Sequence, residues 1–135
     1  MDKEQLKKYI YEYVKEYKEI PIYQLEDLFK EINHDYIGRT SITHDKDENI
    51  VFWSGWNKIT MFALIELVKS EQLDLVYRGS FVMRYLLDGR VPNLPLAICY
   101  PEDGQQTDVP SWVPMVLRIN KKRKSNEHRN YCKPI

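Results

Sequence analysis

The sequence predicts an α+β fold of winged-helix type. Two observations predict it: amphipathic helical spacing in three places, and strand-like alternation on both sides of the third. The expected order is two helices, an inserted β-hairpin, a third helix and a closing wing hairpin over residues 1–117, then a basic C-terminal arm at 118–135.

Leu6, Ile10, Tyr13, Val14 and Tyr17 recur at three-and-four spacing, which predicts a first helix from about Lys3 to Lys18 with one core-facing stripe. Tyr9 and Tyr11 lie off that stripe. Pro21 suits the start of a second helix, in which Leu25, Leu28, Phe29 and Ile32 share a face and Asn33 is the stop. Tyr36–Thr43 and Ile50–Trp53 read as strands around the polar turn HDKDEN. A third helix follows from about Asn57 to Ser70, with Ser54 available as a cap and Ile59, Phe62, Ala63, Ile65 and Leu67 as its buried side. It is the most apolar segment and is expected at the centre.

The wing is read from alternation. Leu73, Leu75 and Tyr77 alternate, Arg78-Gly79-Ser80 supplies a turn, and Phe81, Met83, Tyr85 and Leu87 alternate again before Asp88-Gly89. Pro92, Pro95, Pro101 and Pro110 exclude a long helix beyond it. Trp112–Asn120 is expected to add one strand, confined by Pro114 to a sheet edge or a bulge.

A chain of 135 residues, 43% of them apolar, suffices for one domain with a real core. No apolar run approaches a bilayer crossing and the charged start MDKEQLKKYI lacks the apolar centre of a secretion signal, so a cytoplasmic protein without a membrane is expected. Cys99 and Cys132 stand far apart with no CxxC spacing and are expected as reduced thiols.

Charge is distributed unevenly. The formal net charge is zero, yet Arg118–Ile135 holds Arg118, Lys121, Lys122, Arg123, Lys124, Arg129 and Lys133 against Glu127 alone, so this segment carries +6 and the rest −6. Such separation points to an electrostatic partner.

No motif for chemistry accompanies it. Asp45-Lys46-Asp47-Glu48-Asn49 begins like a calcium loop, but Ile50 stands where a glycine is needed and Trp56 where a bidentate glutamate is needed. His34, His44 and His128 have no second ligand at metal spacing, and the chain lacks GxSxG, GxGxxG and GxxxxGK[ST]. Neither catalytic residues nor a metal, a cofactor or a small-molecule substrate is expected.

Nucleic acid, single-stranded or within a nucleoprotein, is the leading expected partner. The residues assigned to it are Arg78, Arg84, Arg118, Lys121, Lys122, Arg123, Lys124 and Arg129, which would hold a backbone with little base reading. The third helix offers Lys58 and Lys69 but also Glu66, which makes it a poor groove reader. The alternative is a protein-binding inhibitor or adaptor of a polymerase, a helicase or a defence nuclease such as a CRISPR effector. It would use Tyr9, Tyr11, Trp53 and Trp56, although both tryptophans also suit a core.

The stretches KEQLKKYIYEYVKEY, PIYQLEDLF, NIVFWSGW and YLLDGRVPNLPLA resemble small proteins of staphylococcal pathogenicity islands and related cassette or prophage-like elements, over about Met1–Leu117. The resemblance implies a context of replication accessories, regulators and inhibitors of host or phage machines. It carries no site residues.

Overall fold

The computed structural model describes residues 1–77, 79–92, 94–96 and 110–120. Helix α1 spans Lys3–Tyr17. Its start is a reciprocal capping box: Asp2 Oδ1 accepts the Gln5 amide at 2.9 Å while Gln5 Oε1 accepts the Asp2 amide at 3.3 Å. Leu6, Ile10 and Val14 are fully buried, as the spacing requires, whereas Tyr17 at the last turn is half exposed.

Strand β1 (Glu19–Pro21) and a 3-10 turn (Ile22–Gln24) precede helix α2, Leu25–Glu31. Pro21 therefore closes a strand and does not begin the helix. Asn33 follows α2 at φ 59°, a left-handed conformation that asparagine tolerates, so the predicted stop is found. Strands β2 (Ile37–His44) and β3 (Asp47–Trp56) form the expected hairpin, longer than predicted. The expected polar turn shrinks to Asp45-Lys46, since Asp47, Glu48 and Asn49 belong to β3.

Helix α3 spans Lys58–Lys69 and is capped by Asn57, whose Oδ1 accepts the Thr60 amide at 3.1 Å. Ser54 lies inside β3 and caps nothing. Thr60, Met61, Ala63, Leu64, Ile65, Leu67 and Val68 are buried, so α3 is enclosed on more than one side, by α1, β2 and the strand that follows it. Ile59, expected inside, is exposed. At the hairpin base Gly38 passes so close to α3 that a Cβ there would lie 2.4 Å from Asn57 Cα.

Strand β4 (Leu73–Tyr77) matches the first half of the predicted wing. The second half does not form. Phe81–Leu87 is not a strand but a 3-10 turn (Gly79–Phe81) running into helix α4, Val82–Asp88. The described residues thus contain four α-helices where three were expected. Tyr85 faces inward with Val82 half-buried one turn before it, and Gly89 at φ 67° ends the helix by donating to Leu86 O.

The partner of β4 is instead β6 (Met115–Ile119), reached after the short strand β5 (Ser111–Trp112). One sheet runs β1-β6-β4, antiparallel throughout; the other runs β2-β3-β5, with β5 parallel to β3. The edge position expected for the last strand is overturned, because β6 is the central strand of its sheet. Pro114 stands between β5 and β6, where its missing N–H breaks neither ladder. Arg118 and Ile119 belong to β6, two residues into the segment assigned to the arm. The protein is an α+β fold.

Candidate functional site

Of the cations expected to line one surface, the described residues include Arg84 and Arg118. Arg118 lies on β6 beside its cross-strand neighbour Asp74, with Nε 3.6 Å from the carboxylate, so its charge is met within the sheet. Arg84 is exposed on α4, where its guanidinium donates to Gln24 Oε1 at 3.3 Å and stacks 5.1 Å from the Phe81 ring. Since Phe81–Leu87 is not a strand, Arg84 sits on a helix flank and not on a wing. Arg78, Lys121, Lys122, Arg123, Lys124 and Arg129 lie outside the described residues.

Arg90, a third cation near the expected wing, is used internally. Its forked head donates to Asp27 at 3.1 Å, Glu26 at 3.4 Å and the Tyr23 carbonyl at 2.9 Å, and lies 4.7 Å over the Tyr23 ring. Glu26 also accepts the Trp56 indole N–H at 2.9 Å, while Tyr23 donates its hydroxyl to Asp88. This network ties the end of α4 to α2 and to β3.

Neither tryptophan assigned to an interface can serve one. Trp53 is 4% exposed and Trp56 0%, because both indoles seal the core at the hairpin. Trp56 meets Phe29 edge-on at 5.2 Å, and Trp53 lies 6.0 Å from the Tyr85 ring with its Nε1–H unpartnered. A wholly buried ring has no free face for a base or a protein.

The tyrosines divide. Tyr11 is half-buried and packs against the core, whereas Tyr9 is 46% exposed. With Leu6, Ile10 and Val14 turned inward, the opposite side of α1 presents Tyr9, Glu12 and Glu16 at successive three-and-four steps, with Lys8 and Lys15 also exposed beside them. Among the described residues neither glutamate has an ion pair. On the inner side, by contrast, Lys3 and Lys7 converge on Glu66 of α3 at 2.5 and 3.1 Å. The two hydrogen bonds hold the Glu66 carboxyl below its usual range.

A second surface was missed by sequence reasoning. The outer face of α4 exposes Met83 (58%), Leu86 (48%) and Leu87 (77%), and Val91 beyond the helix is exposed as well. An alternating strand was expected there, which would have turned Met83 and Leu87 toward the core. The available signal was Val82 and Tyr85 at helical spacing, followed by a glycine suited to ending a helix.

Among the described residues no group of three or more His, Cys, Asp and Glu is placed to hold a metal, and no helix is long and apolar enough to cross a membrane. Asp47 and Asn49 of the rejected calcium-loop pattern are spent on the strand, where Asp47 Oδ1 accepts the Asn49 amide at 2.9 Å. Comparison with protein-family models, with curated proteins and with solved structures finds no match to this chain.

Proposed function

We propose that the chain is a non-catalytic, protein-binding adaptor or inhibitor that presents the outer side of α1 to a basic surface of a nucleic-acid-processing protein. The observation that carries this reading is the side of α1 opposite its buried stripe, where Tyr9 stands exposed beside two glutamates that have no ion pair among the described residues. Tyrosine gives a rigid, amphipathic contact, and carboxylates complement a groove that normally meets phosphate. The resemblance of the sequence to proteins of staphylococcal mobile elements supplies a cytoplasmic setting in which such machines are targets.

The fold is read as a winged helix. A first strand between α1 and α2, β4 and β6 after α3 and the order β1-β6-β4 support that reading, with β2-β3 inserted and α4 standing in place of a simple wing. In this architecture the third helix is the groove reader. Here α3 is enclosed, and its one acid holds Lys3 and Lys7, which favours a protein partner over a DNA groove.

Capture from cell extract, with and without nuclease, tests the proposal. The expected result is one nucleic-acid-processing protein that survives nuclease and is lost with the double variant E12K/E16K. Capture abolished by nuclease, or unchanged in that variant, removes it.

A second reading rests on the +6 carried by Arg118–Ile135: Lys121, Lys122, Arg123, Lys124 and Arg129 would bind a single strand or a nucleoprotein through its backbone. Binding to a fluorescent oligonucleotide should then weaken steeply from low to physiological salt, because each neutralised phosphate releases counterions. Salt-independent binding sinks it.

A further inference from the structure

The outer face of α4 belongs neither to the α1 surface nor to the basic segment. Its crest is Met83 and Leu87, one turn apart and both largely exposed, with Leu86 on one flank. On the other flank stand Arg84 and Asp88, also one turn apart, exposed and opposite in charge. They form no ion pair with each other, and neither has one elsewhere among the described residues. Arg84 rests on Gln24, Phe81 and the Tyr23 hydroxyl, and Asp88 accepts that same hydroxyl. An apolar crest with charges of both signs on one flank is a surface complementary to itself.

We propose that the occupant of this face is a second copy of the same chain, paired through antiparallel α4 helices about a two-fold axis. Such an axis, perpendicular to the helices, sets each flank of α4 against the same flank of its mate. Centring it near Leu86 brings Leu86 onto its own copy, Met83 toward Leu87 of the other chain, and Arg84 onto Asp88 of the other chain twice over. Parallel pairing would set Arg84 against Leu86 and give neither charge a partner of opposite sign on the other copy. A formal net charge of zero adds no long-range repulsion between copies. The contact is small, one short helix and its flank, so the dimer is weak and forms at micromolar or higher concentration. Its consequence is two basic segments on one particle.

Sedimentation of the full chain across a wide concentration range tests this. The expected mass rises from 16.2 kDa toward twice that value. L87E should stay monomeric, and R84D and D88R should each weaken self-association at least about tenfold by setting like charges together. An equimolar mixture of R84D with D88R should recover the dimer, since every cross-pair is again of opposite sign. Circular dichroism confirms that each variant is folded, and L87E decides the case if D88R is not. A wild-type chain that remains monomeric at millimolar concentration overturns the proposal, as does an L87E chain that still dimerises. So does a mixture of folded R84D and D88R no heavier than its components, which would assign the α4 face to a different protein.

Discussion

The Tyr85 hydroxyl donates to the Met115 carbonyl at 2.7 Å, and the same oxygen receives the Ile22 amide at 2.8 Å. Met115 and Ile22 flank the Val116–Pro21 pair of the β6-β1 ladder, so Tyr85 joins the two strands just where they part. Burial pushes the phenol far above its usual range, which keeps the proton in place for donation. Tyr85→Phe should preserve packing against Trp112 and Tyr23 but leave a buried amide and carbonyl each short of a partner. The expected loss is about 1–3 kcal/mol, read as a lower urea midpoint with unchanged slope. An unchanged midpoint would show that α4 is held by its apolar contacts alone.

Gly38 is required by a close approach, not by an unusual backbone angle. A Cβ at this position would lie 2.4 Å from Asn57 Cα, 2.6 Å from its nitrogen and 2.7 Å from Trp56 O, all backbone atoms that no rotamer change can move. Gly38→Ala should push β2 away from the start of α3 and break the 2.7 Å bond from the Asn57 amide to Tyr36 O. A cost of about 1–3 kcal/mol in denaturant unfolding is expected. Amide exchange at Asn57 should speed up more than exchange in β6.

Arg90 answers two carboxylates, a carbonyl and a ring through one planar head. Lysine keeps the charge but not the fork, so Arg90→Lys should cost about 1 kcal/mol and Arg90→Ala about 2 kcal/mol. Part of that loss comes from Glu26, which would keep only the Trp56 N–H. Raising the salt concentration should narrow the gap between wild type and Arg90→Ala; a gap indifferent to salt would locate the effect in packing over Tyr23.

His34 gives a pH dependence with a definite sign. The Thr60 hydroxyl donates to Asn57 Oδ1 at 2.6 Å, so its oxygen is the acceptor for His34 Nε2–H at 2.7 Å. Burial depresses the folded imidazole below 6.5, and the N-terminal charge adds to this. The unfolded chain therefore binds the proton first. Stability is full above about pH 6.5 and falls as pH drops from there toward the folded value. Unfolding midpoints measured between neutrality and about pH 5 should show this decline, and His34→Gln should flatten it. A decline of the same size in that variant would assign the window to other groups. Loss of the Glu66 pairs with Lys3 and Lys7 belongs to a lower window, below 4.5.

Helices α1, α2 and α3 were legible because their apolar residues repeat only at helical spacing, and the β2-β3 hairpin because alternating runs flank a polar turn. The segregated charge was legible for a simpler reason: charge is a property of composition. Phe81–Leu87 was not, since Phe81, Met83, Tyr85 and Leu87 fit a period of two while Val82, Tyr85 and Leu86 fit a helix. Local propensity does not separate the two. The choice depends on Tyr85 finding Met115 and Ile22, 30 and 63 residues away in sequence. The central place of β6, the burial of Trp53 and Trp56 and the capture of Arg118 by Asp74 are likewise long-range pairings. They exist only once distant strands meet, and with them the tertiary structure decided that Arg118 is paired and that the Trp53 and Trp56 rings are buried.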